Sequence, residues 1–324
     1  MKPFRITLLL LYATLLSACV GEKKCCPTDR NVVVEFAYVY NGHDVFGDQV
    51  YSVSLFVFDS DGVLAYRATI GSEQLNMFAG TTLSHLAPGN YRIVAWGNTT
   101  PQRSVFGNTN EGDHIDDTYV GRYGVLRSLA PQPGDADRLH FAPHLAQEEF
   151  NITIPRAGDL TVTLPFARAH IDIEVFVVNF ELYSGETDAP IIEIDGVSSH
   201  FDFDRVPFGD ITLRETAEIQ DQYVERPAVA HFRTKLFDDN ANFTKELRVK
   251  GAQGDQTVYF ILDNAMFRNL IAEFMADNNI QSLKADATPQ RVIPIVITFS
   301  TDGRNVAVGV QVPRFEVVGG RPWL

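Results

Sequence analysis

The sequence predicts an all-β protein made of two antiparallel sandwiches, with one helix in the second. Three observations carry this. Apolar residues recur at every second position through most of the chain, Gly, Asn, Asp and Pro clusters separate these runs, and a single stretch repeats at three and four instead. The 324 residues are enough for about two domains at roughly 100–200 residues each. Each is large enough to bury a core without metal or disulfide staples.

The first segment is not part of the fold. Lys2 and Arg5 form a short cationic region, Ile6 to Leu16 is an almost unbroken apolar run, and Leu16-Ser17-Ala18-Cys19 follows. The run is too short to span a bilayer as a mature helix and has signal-peptide dimensions. Small residues directly before a cysteine match a bacterial lipobox, in which cleavage leaves Cys19 as the lipidated N-terminus. An ordinary secretory signal with an incidental Cys19 is the alternative. Several acyl chains, at about 0.8 kcal/mol per buried methylene, hold a protein at a membrane essentially permanently. Val20 stands where an inner-membrane retention Asp would be, so the expected location is the outer membrane.

Beyond residue 30 the strands follow in order. Val32, Val34, Phe36 and Tyr38 share one face, and Val53, Leu55 and Val57 another. Leu160, Val162, Leu164 and Phe166 alternate with Thr161 and Thr163; Ile171, Ile173, Val175 and Val177 alternate with His170, Asp172 and Glu174. All are expected to be half-buried, with His170, Asp172 and Glu174 on a solvated outer face. Ile293, Ile295, Ile297 and Phe299 also repeat at two, but Val292 and Val296 make that strand apolar on both faces. It reads as central, with Pro294 moving one end toward an edge or bulge. Val306, Val308, Val310 and Val312 form the last alternating run.

Turns are predicted at Asp59-Ser60-Asp61-Gly62, Ala87-Pro88-Gly89-Asn90 and Thr301-Asp302-Gly303-Arg304. The helix is predicted over 264–278, with Phe267, Leu270, Ile271 and Phe274 on its apolar face and Asp263 or Asn264 as cap. Residues 97–150 read as a long irregular region with a short helix near Tyr123 to Leu129. The expected organisation is a signal peptide at 1–18, a lipidated tether at 19–30, an N-terminal sandwich at 31–158 and a C-terminal sandwich at 159–324. The boundary at Gly158-Asp159 carries a latitude of about ten residues.

Charge narrows the function. There are 27 Lys+Arg against 41 Asp+Glu, a net −14, and loss of Lys2 and Arg5 with the signal peptide makes it −16. Such a chain lacks the basic stripe that nucleic acid or anionic lipid requires. With Cys19 lipidated, adjacent Cys25 and Cys26 have no ordinary intrachain partner, since neighbouring Cα atoms sit about 3.8 Å apart. Free thiols, a strained vicinal bridge and a bond to another chain all remain open.

The polar clusters carry no catalytic pattern. Asp59-Ser60-Asp61-Gly62 opens like a calcium loop, but Ile70 occupies the position where the bidentate Glu belongs, so a hairpin turn is expected. His140 and His144 flank Pro143 and lack the Glu of a zinc-protease helix, and His43 is isolated. His114, Asp116 and Asp117, and later His200, Asp202 and Asp204, are polar-loop clusters that could hold a cation weakly or simply reflect an acidic surface. Nucleophile elbow, Walker loop and dinucleotide fingerprint are all missing. No enzyme activity, cofactor or metal is expected.

Several stretches together resemble a known family, the fimbrial anchor lipoproteins of Bacteroides and Porphyromonas relatives, most of all the branch that anchors the minor fimbrium. They are the lipobox, Cys26-Pro27 before the aromatic strand Val34 to Tyr38, Phe56 to Gly62, and Leu86-Ala87-Pro88-Gly89-Asn90-Tyr91-Arg92-Ile93-Val94-Ala95-Trp96-Gly97-Asn98. Cys25, beside the expected cysteine, is the departure. The resemblance implies two transthyretin-like sandwiches, no catalysis, and a place at the base of a fimbrium whose shaft subunits (fimbrillins) join by strand exchange. It implies lipid on Cys19, retention of the first strand and limitation of fimbrial length. Residues 304–312 suit an ordinary last strand, and 314–324 a segment docking onto the shaft. The competing expectation is a surface adhesin or glycan-binding tip lipoprotein of the same fold. Trp96, inside an apolar strand, is a poor sugar platform for that role.

Overall fold

The computed structural model describes residues 31–100, 104–122, 138–143, 151–185, 188–198, 200–206, 208, 212–217, 227–235, 246–252, 257–283, 288–289, 291–302 and 304–310. The lipobox, Cys25, Cys26, Tyr123 to Leu129, His144 and 311–324 lie outside them.

The first half contains β1 (Val32–Ala37), β2 (Val39–Tyr40), β3 (His43–Asp44), α1 (Phe46–Gln49), β4 (Val53–Asp59), β5 (Leu64–Ile70), α2 (Ser72–Met77), β6 (Gly80–Thr82) and β7 (Gly89–Gly97). It continues with β8 (Ser104–Gly107), β9 (Tyr119–Arg122), β10 (His140–Ala142), β11 (Asn151–Ile154), β12 (Leu160–Pro165) and β13 (Ala167–Arg168). Strands of three or four residues thus organise the stretch expected to be irregular. They are too short for a periodic signal among so many turn-forming residues.

The second half contains β14 (His170–Val178), α3 (Phe180–Ser184), β15 (Ile191–Ser198), β16 (His200–Asp202), β17 (Thr212–Ala217) and β18 (Ala228–Lys235). It ends with β19 (Glu246–Lys250), β20 (Val258–Leu262), α4 (Asn264–Asp277), β21 (Val292–Phe299) and β22 (Val306–Gly309).

In the first half a sheet ordered β13-β10-β7-β4-β5 faces a smaller one ordered β12-β1-β6. Val32, Val34 and Phe36 of β1 meet Val53, Leu55 and Val57 of β4, with Ile93, Leu164 and Phe166 between. In the second half β18-β14-β21-β22 faces β17-β15-β19-β20. Its core joins Ile171, Ile173, Val175 and Val177 to Ile293, Ile295, Ile297 and Phe299. The predicted helix α4 closes this core with Phe267, Leu270, Ile271 and Phe274, and the Asp263 carboxylate caps it by accepting from Met266 N at 2.9 Å. Among the described residues β22 pairs with Val296 to Phe299 and stops short of Pro294, so the missing amide breaks no bond to β22.

Among the described residues most pairs are antiparallel, but two are parallel: β1 with β12, and β14 with β21. Each joins the strand that opens a half to one near its end. The strand that follows Gly158 therefore pairs with the N-terminal strand, and the chain passes to the other sheets at 166–170.

β4 is not half-buried as its alternation suggests. Phe56 and Phe58, on the face opposite Val53, Leu55 and Val57, are equally buried and belong to the core that reaches into the second half. The cover is β16 and its turn. β16 pairs with β9, extending the first half's β8·β9 ribbon, and Phe203 enters an aromatic box. Its ring lies 4.9 Å from Phe56, 5.9 Å from Phe58 and 6.3 Å from both Trp96 and Phe106. Arg205, at φ +64°, lays its guanidinium 4.9 Å over the Phe141 ring.

Replacing Phe203 by Ala is expected to cost about 3–5 kcal/mol by emptying the box. Denaturant unfolding followed by fluorescence of Trp96, which lines it, is the check; an unchanged midpoint would contradict the box as the bond between halves.

Candidate functional site

The N-terminal strand sits in a slot. β12 flanks β1 in parallel through six registered residues, Val32 opposite Leu160 to Ala37 opposite Pro165, and β6 flanks it in antiparallel through three. Leu160 N donates to Asn31 O at 2.9 Å, Phe166 N to Ala37 O at 2.7 Å, Leu83 N to Val32 O at 2.7 Å and Phe36 N to Ala79 O at 2.8 Å. At the entrance Asn31 N donates to the Asp159 carboxylate. Gly80 is needed for the close approach, because a Cβ there would stand 2.5 Å from Val34 O. Phe36 meets Phe46 and Phe166 with ring centroids 5.7 and 5.6 Å apart. Burying Val32, Val34 and Phe36 contributes roughly 5–9 kcal/mol at about 1.5–3 per side chain. That is the size of a domain's whole net stability. Without β1 the slot would be an apolar, strand-shaped groove with hydrogen-bonding walls, the chemistry of β-augmentation.

A second concentration of polar groups lies beneath the first sheet. His170 and Asp172, expected on a solvated face, are buried, His170 to 2% exposure and Asp172 to 9%; of the three only Glu174 is half-exposed. β10 and the residues before it cover His170, against which Asp172 packs. His170 Nδ1 donates to Leu139 O at 2.9 Å, its Nε2 lies 3.9 Å from an Asp172 oxygen, and the His140 and His170 rings are 5.6 Å apart. His140 is fully buried, with Nδ1 2.7 Å from Arg138 O, to which it donates, and the Tyr38 ring 5.5 Å away. Its Nε2 has no hydrogen-bond partner. A second proton there would be unpartnered, and burial, reinforced by Arg168 and Arg138, lowers its pKa to about 4. Asn98 clasps the same corner. Its Nδ2 donates to Gln49 O at 2.7 Å and Arg138 O at 3.0 Å, and its Oδ1 accepts from Tyr51 N at 2.8 Å.

The acidic clusters turn out to be turn builders. Asp59 Oδ1 accepts from Asp61 N and Val63 N, each at 2.9 Å, closing the β4–β5 hairpin with Gly62 at φ +77°. His114 caps the short 3₁₀ turn Ile115–Asp117 by accepting from Asp116 N, and reaches Asp61 O at 3.0 Å through Nε2. Asp202 Oδ1 accepts from Asp204 N and Val206 N at 2.8 Å, Asp204 pairs with Arg92, and His200 packs on Tyr119. The pairing of β16 with β9 brings the two clusters to one ribbon, yet among the described residues no three His, Cys, Asp or Glu converge as a metal site. His43 lies exposed on β3. Sequence reasoning missed Asn98, Phe203 and Arg205. The αL-tolerant Asn98 ending a strong strand was the only local signal among them.

Comparison with known proteins gives these features a context. A family described as fimbrillin-A associated anchor proteins Mfa1 and Mfa2 matches residues 22–319. Among solved structures, the fimbrial anchor protein Mfa2 from Porphyromonas gingivalis superposes with a TM-score of 0.64 at 15% identity, covering 87% of this chain and 98% of its own. A candidate polysaccharide-binding protein from Bacteroides thetaiotaomicron gives 0.67 at 17% identity over 89% of this chain and 99% of that one. A candidate adhesin from Bacteroides ovatus gives 0.66 at 14% identity over 88% and 93%. At these identities the superpositions establish the fold alone. No curated protein matches by sequence.

The His140 imidazole makes stability depend on pH. Its folded pKa of about 4 lies below the ordinary 6.5, so the unfolded chain takes up the proton first. The contribution of this one group is complete above pH 6.5, falls as the pH drops toward 4, and is then lower by about 3 kcal/mol at 1.36 per unit. Urea midpoints between pH 7 and 4 should decline more steeply for the wild type than for His140→Gln; parallel declines would place the acid sensitivity elsewhere.

Proposed function

The chain belongs to the family of fimbrillin-A associated anchor proteins, and from that premise we propose that it is the lipoprotein that fixes the base of a fimbrium to the outer membrane. The family is one of structural anchors rather than enzymes, and its members associate with a fimbrial subunit at the cell surface. The finer reading is that lipid on Cys19 holds the mature chain, 19–324, in the membrane. The body then caps the membrane end of the fibre and limits its length, and strand exchange with the first shaft subunit joins the two. No described helix is long and apolar enough to cross a membrane, so in this reading the lipid is the attachment.

One observation carries the proposal: the strand nearest Cys19 is built into the core. β1 starts at Val32 and buries three side chains between β12 and β6. A shaft subunit that polymerises by strand exchange must vacate such a slot. An anchor must keep it filled, because the filling strand leads to the lipid. Cleavage after Arg30 would separate body from membrane. On the shaft side, β22 serves as an ordinary strand on β21, which leaves residues 314–324 as the candidate segment for docking. Two sandwiches meeting at 158–170 are proposed as its domains.

The second reading, an adhesin or glycan-binding tip of the same fold, draws on the names of the Bacteroides neighbours. Trp96 is buried and offers no sugar platform. The described exposed aromatics are Tyr51 and Phe78.

A Cys19→Ala strain separates the two. An anchor sheds fimbriae into the medium and the fibres grow overlong, seen by electron microscopy of cells and supernatant; a tip adhesin loses binding while fibres stay attached. N-terminal mass analysis of the protein in purified fimbriae should find residues 19–30 in place, and a mature chain starting at Asn31 would contradict retention of the first strand.

A further inference from the structure

We infer that the parallel pair β1·β12 is a mechanical clamp that carries the tension between membrane and fibre past the first half. The inference rests on the anchor reading only for the origin of the load. The geometry itself comes from strand direction and register.

Tension from a lipid enters β1 at Asn31, ahead of its first residue. The second half is attached at the opposite end of the same pair, because β12 runs parallel to β1 and leaves at Pro165, beside Ala37, for β13 and β14. Pulling these two points apart draws β1 lengthwise along β12. In this direction the bonds of all six registered residue pairs are strained together and must fail together. An antiparallel hairpin pulled at its open end loses its bonds one at a time. The covalent route from β1's neighbour into the second half leaves through this pair, alongside the Phe203 box and the β9·β16 pairing that also join the halves.

Three details fit such a role. Both flanks of β1 are occupied, so lengthwise movement also breaks the β6 pairing and drags Val32, Val34 and Phe36 out of the core. The pair is closed at both ends, with Asn31 N on the Asp159 carboxylate and Leu160 N on Asn31 O at one, and Phe166 N on Ala37 O at the other. The donors Leu160 and Phe166 show that even-numbered amides of this strand point at β1. Its native proline, Pro165, falls at an odd position, where the missing amide costs the clamp nothing.

The clamp spans 128 residues of sequence between Asn31 and Asp159. While it holds, the chain between those two residues is not extended. When it fails, that length pays out at about 3.5 Å per residue, roughly 450 Å before subtraction of the folded span.

The test is single-molecule pulling of the full mature chain, with Cys19, Cys25 and Cys26 replaced by Ser, a handle at the N-terminus and a second on Leu182→Cys, an exposed position of α3. The expected trace is one dominant rupture releasing about 450 Å. Val162→Pro removes an amide aimed at β1 and should shorten the clamp's lifetime at constant force about fivefold or more, the loss of one hydrogen bond. Thr163→Pro removes the neighbouring, outward amide and should leave the lifetime unchanged, with melting curves confirming that both variants fold. If Val162→Pro does not fold, Gly80→Ala takes its place, since its methyl would press on Val34 O from the β6 side. Equal lifetimes for the inward and outward variants, an unaltered lifetime in Gly80→Ala, or a first rupture that frees much less chain would each overturn the clamp. Neither lipid nor shaft enters the measurement, so its failure is distinct from fibre retention in a Cys19→Ala strain, which would overturn the anchor reading.

Discussion

The pair β4·β7 is the member on which both cores lean. Seven registered residues join it, from Val53 opposite Gly97 to Asp59 opposite Tyr91. Odd positions of β4 and their β7 partners close the first core, whereas Phe56, Phe58, Val94 and Trp96 open into the second. A sheet buried on both faces has no solvated side to hold polar residues, so its strands become continuously apolar. It also leaves an apolar face of the first sandwich that needs a lid. The turn at 202–206 provides it, and Asp202, Asp204 and Arg205 serve to shape that turn and fasten it. Burial at β4 thus explains why a polar loop of the second half carries Phe203 in its middle.

Much of this was legible from period and punctuation. β1 and β14 show the expected buried faces because both are long enough for alternation to register, and α4 because a three-and-four pattern with Asp263 before it has no strand counterpart. Two features were hidden for physical reasons. Alternation tells which residues share a face but not what covers the other face, so Phe56 and Phe58 passed as neighbours of a core rather than members of another, and His170 and Asp172 passed as solvated. The covering elements, β10 and β16, are three residues each and lie in Asp- and His-containing stretches. Parallel pairing was equally invisible, because strand direction depends on crossovers spanning a whole half.

The candidate chemistry was legible in residue type but not in role. His, Asp and Glu clusters in loops invite a metal or catalytic reading. Here their acceptors are largely taken up by backbone amides two to four residues away, as at Asp59 and Asp202, or by a cation on β7, as at Asp204. A carboxylate committed to two amides is a poor ligand and a poor base. Buried His140 is likewise held neutral by its surroundings, which suits a packing role at a sheet junction and not proton transfer near neutral pH. The absence of enzymatic function in the family and this use of polar side chains are two views of one fact.

The same topology connects fold to role. A protein held at one end and loaded at the other, as the proposed anchor role requires, has two ways to arrange its terminal strand. If β1 paired only with a following antiparallel neighbour, tension at Asn31 would open a hairpin bond by bond. Placing β1 beside a strand that leaves for the second half at its far end turns the same number of bonds into a lap joint. That placement requires the chain to complete the whole first sandwich before β12 returns, which puts the longest sequence separation among the described strand pairs at the contact that the proposed anchor role would load. Non-local pairing of this kind is slow to form, and an element assembled once and kept under load for its lifetime can accept slow formation in exchange for slow rupture.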